Sequence, residues 1–181
     1  MDFKSAKELL ELCARENCAI SEIMLRRECT EGETSRDDAI KRMARALGIM
    51  RKSAAGPVSS PVRSMGGLIG GAAKKLSSHA GSPGSIAGGV LGRAMVYSLA
   101  VLETNASMGL IVAAPTAGSA GVVPGLLLAL QDCRSLPDGA VVSALFNAGA
   151  VGYLAMRNAT VAGAVGGCQA EVGVASAMAA S

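Results

Sequence analysis

The sequence predicts a mainly α-helical fold, and three observations carry that prediction. In the first fifty residues, apolar side chains recur every three or four positions, as on one face of a helix. The remainder is rich in Ala, Gly and Val, has only weak period-two alternation, and lacks hairpin signals such as Asn-Gly. Half of the 181 residues are hydrophobic and the mean hydropathy is +0.40, which excludes a disordered chain. We therefore expect Gly/Ala-rich helices joined by glycine-rich loops.

The N-terminal segment, residues 1–52, is predicted to form two or three short amphipathic helices. It carries 21 of the 31 charged residues. Ser21 is expected to open the second helix, and the third is expected to begin near Thr34, where T-S-R-D offers an N-cap with an acid three residues on. The apolar positions that define the three helices are Phe3, Ala6, Leu10 and Cys13, then Ile20, Ile23 and Met24, then Ile40, Met43, Ala44, Leu47 and Met50.

A change of composition marks the end of this polar segment. Residues 53–61 read S-A-A-G-P-V-S-S-P, which predicts a break in the helix, and we interpret residues 53–63 as a linker to an apolar body at 64–181. Residues 104–131 carry no charge and are long enough to cross a bilayer. Pro115, Pro124 and a glycine-rich stretch interrupt them, which favours buried helices around a loop, with no membrane.

Charge and cysteine content bear on partners and location. Seventeen basic residues against 14 acidic ones give a net charge of +3, too balanced for a nucleic-acid footprint, and four aromatic residues offer no stacking platform. We therefore expect no nucleic acid partner. The five cysteines are odd in number, and the first ten residues lack the apolar core of a signal peptide, which predicts a cytoplasmic protein.

Two glycine-rich segments, residues 64–71 and 114–121, are each predicted to be a loop that runs into a helix. Because glycine lets successive backbone N–H groups converge, such a loop can bind a carboxylate or phosphate. Neither segment is a P-loop or a dinucleotide-binding turn, since both signatures are absent. Glycine also serves close helix packing, so a purely structural loop is the alternative.

A third glycine cluster, residues 163–173, surrounds Cys168. Its thiolate could bind a soft metal or an iron-sulfur cluster, although a lone cysteine is more often a small buried apolar residue. No C-x₂-C spacing occurs, and we interpret the other four cysteines as apolar packing residues. His79, the only histidine, lies in a Ser/Gly-rich stretch and is expected to be solvated. The other four cysteines are Cys13, Cys18, Cys29 and Cys133.

The glycine-rich segments, taken together, resemble a known family. Three segments look like the alpha chain of iron-sulfur-dependent L-serine dehydratase: E-T-N-A-S-M-G-L-I-V-A-A-P-T-A-G-S-A-G-V-V-P-G at 103–125, N-A-T-V-A-G-A-V-G-G-C-Q-A-E-V-G-V-A-S-A-M-A-A at 158–180 and S-M-G-G-L-I-G-G-A-A-K-K-L at 64–76. The resemblance spans nearly the whole chain and is weakest in the first fifty residues. It resembles the two-chain type of the enzyme, whose partner is a beta chain.

The resemblance implies a lyase with a 4Fe-4S cluster that converts L-serine to pyruvate and ammonia, as in amino-acid degradation and gluconeogenesis. One iron acts as a Lewis acid on the leaving hydroxyl, and a base removes the α-proton; no residue of this chain is identified as that base. Cys168 matches a cluster cysteine of the family. The positions that match substrate-binding loops are Ser64, Gly66, Gly67, Thr116, Ala117, Gly118 and Ser119. The resemblance further implies an oligomer that contains the beta chain.

Departures from the family pattern lead to an expectation about this chain. The family has two more cluster cysteines after C-Q-A-E-V-G, in segments that these 181 residues lack, and an acidic residue where Ala72 stands. We therefore expect a truncated chain that holds no stable cluster and is inactive alone. Two alternatives stay open: a pyridoxal phosphate deaminase that uses Lys74 or Lys75, and a non-catalytic helical module that binds an amino acid or another subunit.

Overall fold

A computed structural model describes residues 2–82 and 84–181, and over these residues the chain forms eight α-helices and no strand. This confirms the predicted mainly α-helical class. The helices are α1 (Ala6–Glu16), α2 (Ile20–Glu31), α3 (Arg36–Ser59), α4 (Ala72–Ala80), α5 (Gly89–Ala106), α6 (Val122–Arg134), α7 (Asp138–Asn158) and α8 (Gly163–Ala180).

Serine N-caps set the beginnings of α1 and α3. The Ser5 hydroxyl accepts a hydrogen bond from the Glu8 amide at 3.2 Å. In α3 the N-cap is Ser35, one residue later than predicted. The Asp38 amide donates a hydrogen bond to Ser35 Oγ at 3.1 Å, and the Ser35 hydroxyl donates to the Asp38 carboxylate. These two bonds favour a helix that begins after Ser35. The prediction that Ser21 opens α2 is wrong, since α2 begins at Ile20 without a side-chain cap.

The predicted helix break at residues 53–61 is wrong, because α3 continues through Pro57 to Ser59. A proline inside a helix has no N–H to give to the carbonyl four residues earlier, which here is that of Ser53. The Thr104 hydroxyl of α5 lies 2.8 Å from this carbonyl oxygen and donates to it. A side chain from another helix thus satisfies the carbonyl that Pro57 leaves without its usual partner.

The helices pack around one core that contains residues from both sides of the predicted boundary. Helix α5 packs on α3, α4 and α6, while α7 packs on α2, α3 and α8. The polar N-terminal helices therefore contribute apolar side chains to the same interior as the later helices. The largest fully buried hydrophobic side chains include Phe3, Ile23, Leu47, Val101, Val123 and Val141.

The charge-free stretch at 104–131 forms the end of α5, a loop at 107–121 and most of α6, as predicted. Within the described residues one helix, α7, has the length and apolar composition of a membrane span. In this fold α7 instead lies against α2, α3 and α8, with Val141, Leu145 and Phe146 buried.

Candidate functional site

The loop between α5 and α6 contains four of the predicted substrate-binding positions, and hydroxyl groups hold it in shape. Thr116 Oγ1 and Ser119 Oγ lie 3.0 Å apart. Each of these two residues also directs its backbone amide to the other's hydroxyl, at 3.4 Å. Ser119 is buried and Thr116 half-buried, whereas Ala117 and Gly118 at the tip are exposed. The hydrogen bonds between Thr116 and Ser119 therefore hold the two ends of a turn whose tip, Ala117 and Gly118, is exposed to solvent.

The amides of Ala117 and Gly118 make no hydrogen bond to any residue that the structure describes. Nearby amides are satisfied: that of Ala120 donates to the Ala117 carbonyl and that of Val122 to the Ser119 carbonyl. Two adjacent open N–H groups beside the beginning of α6 are suited to an anionic group. The anion-binding interpretation of residues 114–121 stays a prediction.

Glu171 of α8 approaches this loop, although it was not among the predicted site residues. Its Oε1 accepts a hydrogen bond from Thr116 Oγ1. A Cβ atom added to Gly118 would lie 2.9 Å from Oε1, and one added to Gly163 would lie 2.7 Å from Oε2. The carboxylate therefore occupies space that two glycines leave open. A sequence signal did exist, because Glu171 is the only charged residue after Arg157.

Cys168 lies near the beginning of α8, one helical turn before Glu171. Gly167 has φ 72° and ψ 177°, so the helix is interrupted there and Cys168 begins its main segment. Residues three apart on a helix lie on the same face, which brings Cys168 to the side that approaches the Thr116 loop. Its side chain is exposed. Within residues 2–82 and 84–181, no three His, Cys, Asp or Glu side chains group as metal ligands.

The other predicted loop, residues 64–71, is closed by Ser64. The Ser64 amide donates to the Ile69 carbonyl at 2.8 Å, and the Ile69 amide donates to Ser64 Oγ at 3.1 Å. Gly67 turns the chain with φ 71° and donates its amide to the Ser64 carbonyl at 2.8 Å. Gly66 and Gly67 are exposed, and no atom lies within 4 Å of an added Cβ at either position. The loop thus leaves an open surface at its tip.

The C-terminal end of α5 joins both loops. The Glu103 carboxylate accepts a hydrogen bond from the Ala73 amide, at the beginning of α4 and directly after the first loop, at 3.0 Å. Two residues later, Asn105 Nδ2 donates to the Ala117 carbonyl of the second loop at 3.0 Å. Side chains two positions apart on one helix therefore anchor the two predicted substrate-binding segments, and neither was selected from the sequence.

The remaining candidates lie elsewhere. Cys13, Cys18 and Cys29 are half-buried against the core, as expected for packing residues. The same interpretation is wrong for Cys133, which is exposed because it lies in the last turn of α6. His79 is exposed, as predicted. Lys74, one of the two lysines considered for a Schiff base, is exposed on α4 and donates to the Ser59 carbonyl at 3.4 Å.

Comparisons with a family profile and with individual proteins point to the same family. Residues 15–181 match the profile of a family described as serine dehydratase alpha chain. The chain is 40% identical over 179 residues to a probable L-serine dehydratase, alpha chain, of Bacillus subtilis (strain 168). It is 34% identical over 177 residues to an L-serine dehydratase, alpha chain, of Peptoniphilus asaccharolyticus, and 36% identical over 186 residues to an L-serine dehydratase of Helicobacter pylori (strain ATCC 700392 / 26695).

These matches cover nearly all of this chain but only part of the relatives. The aligned region is 99% of this chain and 59% of the Bacillus protein, and 98% of this chain and 61% of the Peptoniphilus protein. For the Helicobacter protein the covered share is 40%. The chain therefore spans about three-fifths of the length of the two alpha-chain relatives.

Proposed function

Because the chain belongs to the serine dehydratase alpha chain family, we propose that it forms part of a lyase that converts L-serine to pyruvate and ammonia. The observation that carries this proposal is the meeting of three family segments at one place. The loop at 114–121, the α8 segment with Cys168 and Glu171, and the end of α5 that anchors both glycine loops all meet beside Thr116.

In this proposal the serine carboxylate binds the open amides of Ala117 and Gly118. The exchange of hydrogen bonds between Thr116 and Ser119 keeps those amides fixed before substrate arrives, so little ordering is needed on binding. We propose that the second loop, with Ser64, Gly66 and Gly67, binds the substrate from another side. Glu103 and Asn105 hold the two loops at a set separation because both extend from the same turn of α5.

The proposal includes a 4Fe-4S cluster with Cys168 as one ligand. The residues described here fit such a cluster only in part, because they offer one exposed thiol at this place and no group of three ligands. Structural clusters of this type are held mainly by cysteine thiolates. The remaining ligands would have to come from outside the residues described here.

A beta chain is the partner we propose for the surface around the loops. Large apolar side chains in or beside these segments are strongly exposed: Met65 by 85%, Leu68 by 94%, Met108 by 77% and Leu110 by 71%. A group of such residues next to a binding site is typical of a protein interface. A subunit that covers this face would also shield the site from water.

Replacement of Cys168 tests the proposal. The protein, expressed from its complete gene together with its beta chain, is reconstituted anaerobically with iron and sulfide as wild type, Cys168→Ser and Cys133→Ser. Cys133 is the matched control because it is also exposed and free. We expect broad visible absorption and serine deamination from wild type and Cys133→Ser, and loss of both from Cys168→Ser with unchanged helical circular dichroism. Retention of the visible absorption by Cys168→Ser would remove Cys168 from the cluster.

The same preparations separate the alternative functions. A wild-type protein that binds its partner but shows neither visible absorption nor deamination supports a non-catalytic module. Deamination that depends on a pyridoxyl-lysine, trapped by borohydride at Lys74 or Lys75, would replace the iron-sulfur proposal by a pyridoxal phosphate enzyme.

A further inference from the structure

We infer that Glu171 recognises the α-ammonium group of the amino-acid substrate. This inference rests on the proposed function and adds to it the residue that distinguishes an amino acid from a hydroxy acid.

The space around Glu171 is shaped by two glycines from different parts of the chain. Gly118 belongs to the loop between α5 and α6, and Gly163 begins α8. A Cβ atom at either position would lie within 3.0 Å of a Glu171 oxygen, closer than side chains tolerate without movement. The carboxylate therefore occupies space that a side chain at either glycine would need, and the Thr116 hydroxyl holds it there.

The hydrogen bonds leave one carboxylate oxygen open. Oε1 accepts from Thr116 Oγ1, which is itself 3.0 Å from the buried Ser119 hydroxyl. Oε2 accepts no hydrogen bond from any residue that the structure describes, and Glu171 is half-buried. A carboxylate held at one oxygen and open at the other is suited to a donor that carries three N–H groups.

The charge of Glu171 has no counterion in the described part of the chain. No lysine or arginine there lies within ion-pair distance of it, and residues 158–170, 172–181 and 104–131 contain no other charged residue. A half-buried carboxylate is costly unless a cation balances it. The binding of an ammonium group would supply that cation.

The neighbouring amides complete the recognition of an α-amino acid. Gly118 provides an open N–H group and also lies against Glu171 Oε1. Sites for an anion and for a cation are therefore adjacent, as the carboxylate and ammonium groups are on one α-carbon. A substrate that lacks the ammonium group would satisfy the amides and leave Glu171 unbalanced.

The test compares ligands with and without the ammonium group on the complete enzyme with its beta chain. Glu171→Gln keeps the size and the acceptor for Thr116 but removes the charge. We expect this variant to raise the KM for L-serine and the inhibition constant of L-alanine by about 10-fold or more. The inhibition constant of 3-hydroxypropanoate, which lacks the amino group, should stay unchanged. Glu11→Gln, on the exposed side of α1, is the matched control and should change none of these constants.

Other outcomes overturn the inference in distinguishable ways. Equal changes for L-alanine and 3-hydroxypropanoate would mean that Glu171 only supports the loop, and no change for either would remove it from the site. Dissociation of the beta chain on Glu171→Gln, seen by size-exclusion chromatography, would identify a partner's cation as its counterion. Failure of the wild type to bind L-serine, measured by calorimetry, would overturn the proposed function itself.

A second variant, Glu171→Asp, is used if the Gln variant does not fold. It shortens the side chain by one methylene and so withdraws the carboxylate from the ligand, and it should give the same ligand-selective loss.

Discussion

Glu103 shows how one buried side chain can fix the beginning of a helix and the end of the loop before it. It is 2% exposed, and its Oε1 accepts the Ala73 amide at the start of α4. Its Oε2 is buried without a hydrogen-bond partner among the described residues. A negative charge near a helix N-terminus is favourable, which helps to compensate for this burial. Glu103 thereby fixes where α4 begins and so where the loop at 64–71 ends.

Replacement of Glu103 by Ala should destabilise the protein by roughly 1–3 kcal/mol, because the buried Ala73 amide would lose the acceptor that it has among the described residues. The free energy of unfolding, measured in urea for the wild type and the variant, checks this. Glu11→Ala is the control, since Glu11 is exposed and its ion pair to Lys7 is 3.9 Å long; we expect it to change stability by less than about 0.5 kcal/mol. Equal effects of the two substitutions would show that Glu103 does not hold α4.

At the scale of residues, the sequence predicted the positions that lie on loops and not those that hold them. Thr116 and Ser119 stand in a glycine-rich stretch, whose composition alone indicates a loop, and the structure places them there. Glu171 and Glu103 find their partners 55 and 30 residues away in the chain. Such contacts depend on how helices pack, which local patterns do not encode. The sequence did carry one indication that Glu103 and Glu171 are unusual, because each is an isolated charged residue in an apolar segment.

At the scale of helices, α3 shows how a tertiary contact overrides a local rule. Residues 53–61 contain a glycine, two prolines and three serines, which is typical of a linker. The helix nevertheless continues because the Ser53 carbonyl, to which Pro57 has no N–H to donate, accepts a hydrogen bond from the Thr104 hydroxyl. The burial of Ala54 and Pro57 against the core also stabilises this last part of the helix. The partner is 51 residues away, so composition could not reveal it.

A double-mutant cycle tests this explanation. Thr104→Val removes the hydroxyl and should cost roughly 1–2 kcal/mol in the wild type, because a carbonyl of the helix loses its donor. In a Pro57→Ala background the new backbone N–H can donate to Ser53, so the same substitution should cost less than about half as much. Chemical denaturation of the four proteins gives the coupling. An equal cost of Thr104→Val in both backgrounds would contradict the compensation.

At the scale of the whole molecule, the polar N-terminal helices are joined to the rest by both core and surface. Phe3 is fully buried and packs edge-to-face on Tyr153 of α7, with ring centroids 5.3 Å apart. Asp2 accepts hydrogen bonds from Arg27 of α2 at 3.0 Å and from the Tyr153 hydroxyl at 2.9 Å. The helical spacing of apolar residues in residues 2–52 predicted helices correctly, and the dense charge lies on their solvent-facing sides. Which apolar partner the other sides meet is a property of the assembled fold.

Two carboxyl groups of the N-terminal helices and their flanking residues, those of Asp2 and Glu22, predict how the fold responds to acid. Hydrogen bonds from Arg36 lower the pKa of the Glu22 carboxyl from 4.5 to about 2, and those from Arg27 lower the pKa of Asp2 from 3.8 to about 2. Because both carboxyls bind protons more weakly in the folded state, their stabilisation is complete above these ordinary values. It is lost as the pH falls from about 4.5 towards 2. The ion pairs between α2 and α3, and between the N-terminus and α2, should therefore fail together.

Replacement of Glu22 by Gln separates this effect from general acid unfolding. Arg36 binds both oxygens of Glu22 at 2.8 Å, so the variant should lose roughly 1 kcal/mol near neutral pH. Its stability should also fall less steeply than that of the wild type between about pH 4.5 and pH 2, because one low-pKa carboxyl has been removed. Urea unfolding across this range gives both quantities, with Glu11→Gln as the exposed control. Parallel curves for wild type and Glu22→Gln would mean that the pair between α2 and α3 does not determine acid stability, and that the core packing of residues such as Ile23 and Leu47 holds these two helices in place without it.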